Sequence, residues 1–97
     1  MSVHVTQGTG YKEGVFGTGV TTVSANMYDQ GLAPLPMTLT LVSSDASRKI
    51  EIRTHPSASW FQPTYDQSAT DFIAVSILSA ISDCRFTGVA NDKWSIK

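Results

Sequence analysis

Met37-Thr38-Leu39-Thr40-Leu41 places Met37, Leu39 and Leu41 on one side of an extended backbone and two threonines on the other. Successive side chains of a strand point to opposite faces, so a period of two marks a half-buried strand. Lys49-Ile50-Glu51-Ile52-Arg53 repeats the pattern, with two isoleucines against three charges. Ile81-Ser82-Asp83-Cys84-Arg85-Phe86-Thr87 and Trp94-Ser95-Ile96-Lys97 carry it to the end of the chain. Antiparallel sheets with one face on a core and one in water read this way. The sequence therefore predicts an all-β fold, an antiparallel β-sandwich or jelly-roll-like barrel with a Gly-rich N-terminal arm.

The neighbouring segments extend the reading. Val20-Thr21-Thr22-Val23-Ser24-Ala25 is strand-like. Ala33-Pro34-Leu35-Pro36 reads as an extended connection, because proline cannot donate to a ladder. Ser44-Asp45-Ala46-Ser47 is a turn, expected to join Met37–Ser43 to Arg48–Thr54 as a hairpin. Phe72–Leu78 is mostly apolar on both sides. It fits a central strand covered on both faces, or a short buried helix capped by Thr70 or Asp71. Its β-branched residues and its length favour the strand. Gly88-Val89-Ala90-Asn91-Asp92 reads as the loop of a closing strand pair, with Phe86 and Trp94 flanking it on one sheet face. Residues 1–19 hold five of the seven glycines and a short strand at Val3–Thr6. They are expected to form an arm or a set of tight turns able to order against a partner, with residues 20–97 as a single domain.

Ninety-seven residues suit one domain. Charged residues are only 15% of the chain, against roughly 25% in ordinary soluble domains. Twelve serines and eleven threonines take their place. The net charge is -1, and only Arg48-Lys49 sets two cations side by side. Neutralising phosphates needs a basic stripe, so nucleic acid and anionic membranes are excluded as main partners. Met1-Ser2-Val3-His4 lacks the basic start and apolar run of a signal peptide, which predicts synthesis in the cytosol without that route of export. The longest apolar-rich stretch, Phe72–Ile81, is shorter than the roughly 20 residues of a membrane helix.

The chemistry-bearing residues do not assemble into a motif. Cys84 is a lone thiol, which forbids an internal disulfide, and its place beside Phe86 predicts a small buried hydrophobe. His4 and His55 are far apart and lack metal-ligand spacing. Gly14-Val15-Phe16-Gly17-Thr18-Gly19 has no following Lys-Ser or Lys-Thr, so it is not a phosphate loop. Asp66–Asp71 offers oxygen ligands without the calcium-loop pattern. Most acids fall in turn segments, where aspartate bonds the local backbone. No catalytic residue, metal ligand or cofactor site is expected, and the chain does not read as an enzyme.

The aromatics remain. Trp60 and Phe61 are adjacent, so in an extended chain their rings face opposite ways and one leaves the core. Large aromatics concentrate in the centres of protein interfaces. Tyr11, Phe16, Trp60, Phe61 and Tyr65 are the expected contact residues. The alternative is a small carbohydrate-binding module, with Trp60, Tyr65 or Trp94 stacking on a sugar beside Asp66 or Asn91.

Lys49-Ile50-Glu51-Ile52-Arg53, Phe61-Gln62-Pro63-Thr64-Tyr65-Asp66, the apolar Phe72–Leu78, Arg85-Phe86-Thr87-Gly88 and Asp92-Lys93-Trp94-Ser95-Ile96 together give residues 48–97 a likeness. That half of the chain resembles the small β-structured virion proteins of tailed bacteriophages. The resemblance implies a non-enzymatic capsid decoration, cement or tail-associated subunit. It also implies self-association, commonly as a trimer, docking on capsid or tail proteins, and location in the virion after synthesis in the host cytoplasm. An extended N-terminal arm ordering on neighbouring subunits would belong to the same picture.

Overall fold

The alternation becomes burial. Met37, Leu39 and Leu41 are buried, while Thr38 between them is exposed. Val23 and Ala25 are buried between exposed Thr22, Ser24 and Asn26. The computed structural model describes residues 4–8, 11–27 and 35–97, and among them there are strands and no helix. The strands are β1 (His4–Gly8), β2 (Tyr11–Val15), β3 (Thr22–Asn26), β4 (Met37–Val42), β5 (Lys49–Arg53), β6 (Gln67–Ser68), β7 (Phe72–Ile77), β8 (Asp83–Thr87) and β9 (Lys93–Ile96).

They form two antiparallel sheets stacked as a sandwich. The larger runs β1-β2-β9-β4-β7-β6 and the smaller β3-β8-β5. The core between them is built from the apolar side of each strand. Leu39, Leu41, Ile73, Val75, Trp94 and Ile96 come from the larger sheet, and Val23, Ala25, Ile50, Cys84 and Phe86 from the smaller. Burying each leucine, isoleucine, valine or phenylalanine among them stabilises the fold by about 1.5–3 kcal/mol relative to leaving it in water.

The chain changes sheet at nearly every connection. The expected hairpin from Met37–Ser43 to Arg48–Thr54 does not form. β4 pairs with β7 and β9, whereas β5 pairs with β8 in the opposite layer. The turn is an arch over the end of the sandwich, so Leu41 and Ile50 enter the core from opposite sides. The closing strands behave alike. β8 and β9 lie in different sheets, and Phe86 and Trp94 stack across the core with ring centroids 5.4 Å apart at 28°. Offset aromatic pairs at such a distance are favourable beyond their buried area. The loop between them needs Gly88, because a Cβ there would lie 2.7 Å from Asp92 Oδ2. That oxygen accepts the Val89 N–H at 2.8 Å.

Within Phe72–Leu78, residues Phe72–Ile77 form strand β7, one of the two forms the sequence allowed. Its inner side, Ile73, Val75 and Ile77, is buried; Phe72 and Ala74 are half-buried and Ser76 is exposed. The second face is therefore only partly covered. The Gly-rich segment supplies a hairpin. β1 pairs with β2, β2 pairs with β9, and Phe16 then enters the core at 1% exposure.

Candidate contact surfaces

The outer face of the smaller sheet carries a ladder of paired charges. β5 presents Lys49, Glu51 and Arg53, and β8 presents Asp83, Arg85 and Thr87. Antiparallel register sets Arg53 opposite Asp83 and Glu51 opposite Arg85. Arg53 donates from Nε and Nη2 to the two Asp83 oxygens, each at 2.7 Å. The Arg85 guanidinium donates to Glu51 Oε1 from Nε at 3.0 Å and lies 2.8 Å from it through Nη2. Directly opposed unlike charges are a favourable cross-strand pairing, and the forked Arg–carboxylate contact is the strong form. Arg53 chiefly, through its hydrogen bonds, holds the Asp83 carboxyl below its ordinary value, against the opposing effect of burial.

Trp60 sits on this ladder. The Arg53 guanidinium carbon is 4.3 Å from its ring centroid, and that of Arg85 is 4.4 Å away. Cations over an indole are attracted by its quadrupole. The half-buried ring is thus held by charges that are themselves anchored to carboxylates. Phe61 turns the other way, as the strand rule requires, and is 60% exposed. Its backbone is fixed: Phe61 N–H donates to Ile52 O and Ile52 N–H to Phe61 O, both at 2.8 Å. Tyr65 follows, its ring packed on the core and its hydroxyl accepting the Ile50 N–H at 3.2 Å. Residues 60–65 therefore cover the free edge of β5.

The expected contact residues divide. Trp60, Phe61 and Tyr65 lie together along β5, with only Phe61 strongly exposed. Tyr11 is half-buried in β2 at the far side of the larger sheet. Phe16 is a core residue, not a contact residue: the backbone bonds Phe16 N–H to Asp92 O and Asn91 N–H to Phe16 O, at 2.8 and 2.9 Å, draw it inward. The glycan reading loses most of its platform. Trp94 is buried at 2%, Tyr65 is packed and bonded, and Trp60 already carries two guanidiniums. Asp66 Oδ2 accepts the Ser76 N–H at 2.6 Å, and Asn91 is a left-handed turn residue with φ of 74°.

A second surface escaped the sequence reading. The outer face of the larger sheet holds a shallow groove of about 380 Å³ lined by Glu13, Val15, Thr40, Val42, Lys93 and Lys97, among others. Lys97 pairs with Glu13 at 3.2 Å across it. The groove exists because β2, β9 and β4 are neighbours, which no segment of sequence states by itself.

Among the described residues no three of His, Cys, Asp or Glu gather as a metal site. His55 Nδ1 accepts the Ser57 N–H at 3.1 Å and so closes a turn. Burial chiefly pushes the Cys84 thiol up to about 12, which keeps it protonated and weakly nucleophilic. Asp45 and Asp92 bond backbone amides of their own turns. No family model matches the chain, and neither a curated protein nor a solved structure does so.

Proposed function

We propose that this chain is a non-enzymatic structural subunit that associates with copies of itself, as a trimer, and docks on a larger protein shell. The setting proposed is the phage virion, as a capsid decoration or cement protein. The likeness of residues 48–97 to such proteins supplies that setting. The observation that carries the mechanism is Phe61, presented at 60% exposure on a backbone already locked to β5. An exposed aromatic that is ordered beforehand loses little conformational freedom on docking. Seated in a partner's pocket, it would act as an interface anchor. The hydroxyl-rich, weakly charged composition of the chain favours association without steering a polyanion. A standard interface takes about 800 Å² from each partner.

Light scattering on the eluting protein tests the reading. The wild type is expected at the mass of a trimer, and Phe61→Ser is expected to shift it towards monomer. A wild type that stays monomeric at about 0.1 mM, well above the dissociation constant of a stable interface, would overturn self-association. An unchanged mass for Phe61→Ser would remove Phe61 from it. Add-back of the purified protein to particles that lack it tests docking on the shell.

A further inference from the structure

The sheet edges of this molecule are handled differently, and β3 is an edge of the smaller sheet along which, among the described residues, nothing covers Thr22 to Ser24. β5 is covered by residues 60–65, and β6 is only two residues long. Covering and shortness are the usual protections of an edge, together with charge, proline and bulges. β3, Thr22-Val23-Ser24-Ala25-Asn26, is neither short nor broken by proline, charge or a bulge, and among the described residues no segment covers its Thr22–Ser24 stretch. It contains no charge and no proline, and its register against β8 is unbroken over five residues. The direction of its free groups follows from the ladder. Gly88 N–H donates to Thr21 O, and Met27 N–H to Ser82 O. Odd-numbered residues of this strand therefore bond β8, and the N–H and C=O of Thr22 and Ser24 point outward. Among the described residues nothing receives them.

The opposite layer supplies the second half of a seat. The larger sheet is six strands wide and the smaller three. Phe86 on Trp94 sets β8 over β9, so β3 lies over β2 and β1 projects beyond it. Val5 on β1 is opposite Gly14, which is opposite Trp94; all three face inward. Yet Val5 is 51% exposed, and among the described residues no strand of the smaller sheet lies above it. The uncovered shelf is about one strand spacing wide, near 4.8 Å.

We infer that the β3 edge and the inward face of β1 together accept one extended segment of a partner protein as a fourth strand of the smaller sheet. A whole second sandwich does not fit by pairing β3 with β3, because the projecting β1 strands of both copies would meet in the same layer. A single strand does fit. Its chemistry is set by the seat: backbone groups free to pair with Thr22 and Ser24, and small or β-branched apolar side chains at alternate positions to cover Val5. The other side of the strand faces water beside Ser24 and carries uncharged polar residues. This is strand addition, in which main-chain bonds give affinity and alternate side chains give selectivity. The inference takes the docking reading as its setting, but its test reads β3 alone.

The probe is a synthetic nine-residue peptide of alternating valine and threonine with a lysine at each end. Amide exchange on the full chain should slow at least tenfold at Thr22 and Ser24 when about 1 mM peptide is present. Ser24→Pro removes the outward donor while leaving the bonds to β8 in place, and is expected to weaken binding at least tenfold. Val5→Ser should narrow the preference for this peptide over an all-threonine one. Amides of Thr22 and Ser24 that exchange equally fast with and without peptide would overturn the inference. So would full binding by a folded Ser24→Pro protein. Either result leaves the Phe61 association test untouched, so the two readings fail separately.

Discussion

Asp83 shows how one carboxylate ties local charge to stability. Its folded pKa is depressed, chiefly by the Arg53 hydrogen bonds. A depressed acid adds stability above its unfolded value, ordinarily 3.8, and that contribution is lost as pH falls through the lower folded value. Asp83→Asn is therefore expected to flatten the loss of stability below about pH 4. At neutral pH it should cost about 1 kcal/mol, since the pair is forked but partly solvated. Denaturant titrations of both proteins across the acid range measure this. A wild-type profile no steeper than that of the variant would show that another group controls acid unfolding. Trp60 depends on the same pair, because Arg53 lies over its ring. Its adjacency to Phe61 was legible as two rings on opposite faces. The two arginines holding the Trp60 ring were not, since they come from β5 and β8.

The arch between β4 and β5 illustrates what an element's pattern leaves open. Both strands carry one apolar side, and that is satisfied equally by pairing in one sheet or by facing across the core. Tertiary bonding selects the arch. Ser43 N–H donates to Asp71 O at 2.8 Å, and Arg48 donates to the carbonyls of Ser43, Ala69 and Thr70 at 2.7, 2.7 and 3.1 Å. One side chain thus ties the arch to the loop that leads into β7. Arg48→Ala should destabilise the fold by about 1–3 kcal/mol, the range for lost bonds to a charged donor. Amide exchange should rise first at residues 43–47 and 69–71, with the β8 amides little affected. Uniform acceleration across the chain would argue against so local a role. The Gly-rich hairpin makes the same point from the other side. Glycine content suggested an arm, but Phe16 needs a core, and burying it draws β2 onto β9.

Most ladders in this molecule join strands that are not consecutive in the chain, the hairpins β1–β2 and β6–β7 being the exceptions among those described. Loop-closure entropy must be met before such contacts form, so folding is expected in the range of milliseconds to seconds. Cys84 provides a probe of opening. It is fully buried between the sheets, with its pKa raised to about 12 chiefly by desolvation. A raised thiol pKa leaves stability intact below the unfolded value near 9.0. Stability is then lost as pH climbs from there towards the folded value. At pH 8 alkylation of the native protein should be at least about a thousandfold slower than in denaturant, and should follow global opening. A core variant such as Phe86→Ala, expected to cost about 3–5 kcal/mol, should accelerate labelling accordingly. Rapid native labelling would mean that β8 opens alone.

Which residues lie inside is legible in the chain alone. Period-two alternation is local geometry, and it sends Leu39, Leu41, Ile50, Cys84, Phe86, Trp94 and Ile96 to the core whatever the neighbours are. It also determined the polar, weakly charged exterior. Only the tertiary structure decided which strands are neighbours, because identical alternation serves a strand in either layer. That decision sets the sheet widths, covers the β5 edge with residues 60–65, leaves the Thr22–Ser24 edge uncovered among the described residues, keeps Phe61 exposed and buries Phe16. The physical reason is that strand partners are chosen by contacts distant in sequence, and the pattern within a strand records only the side it buries.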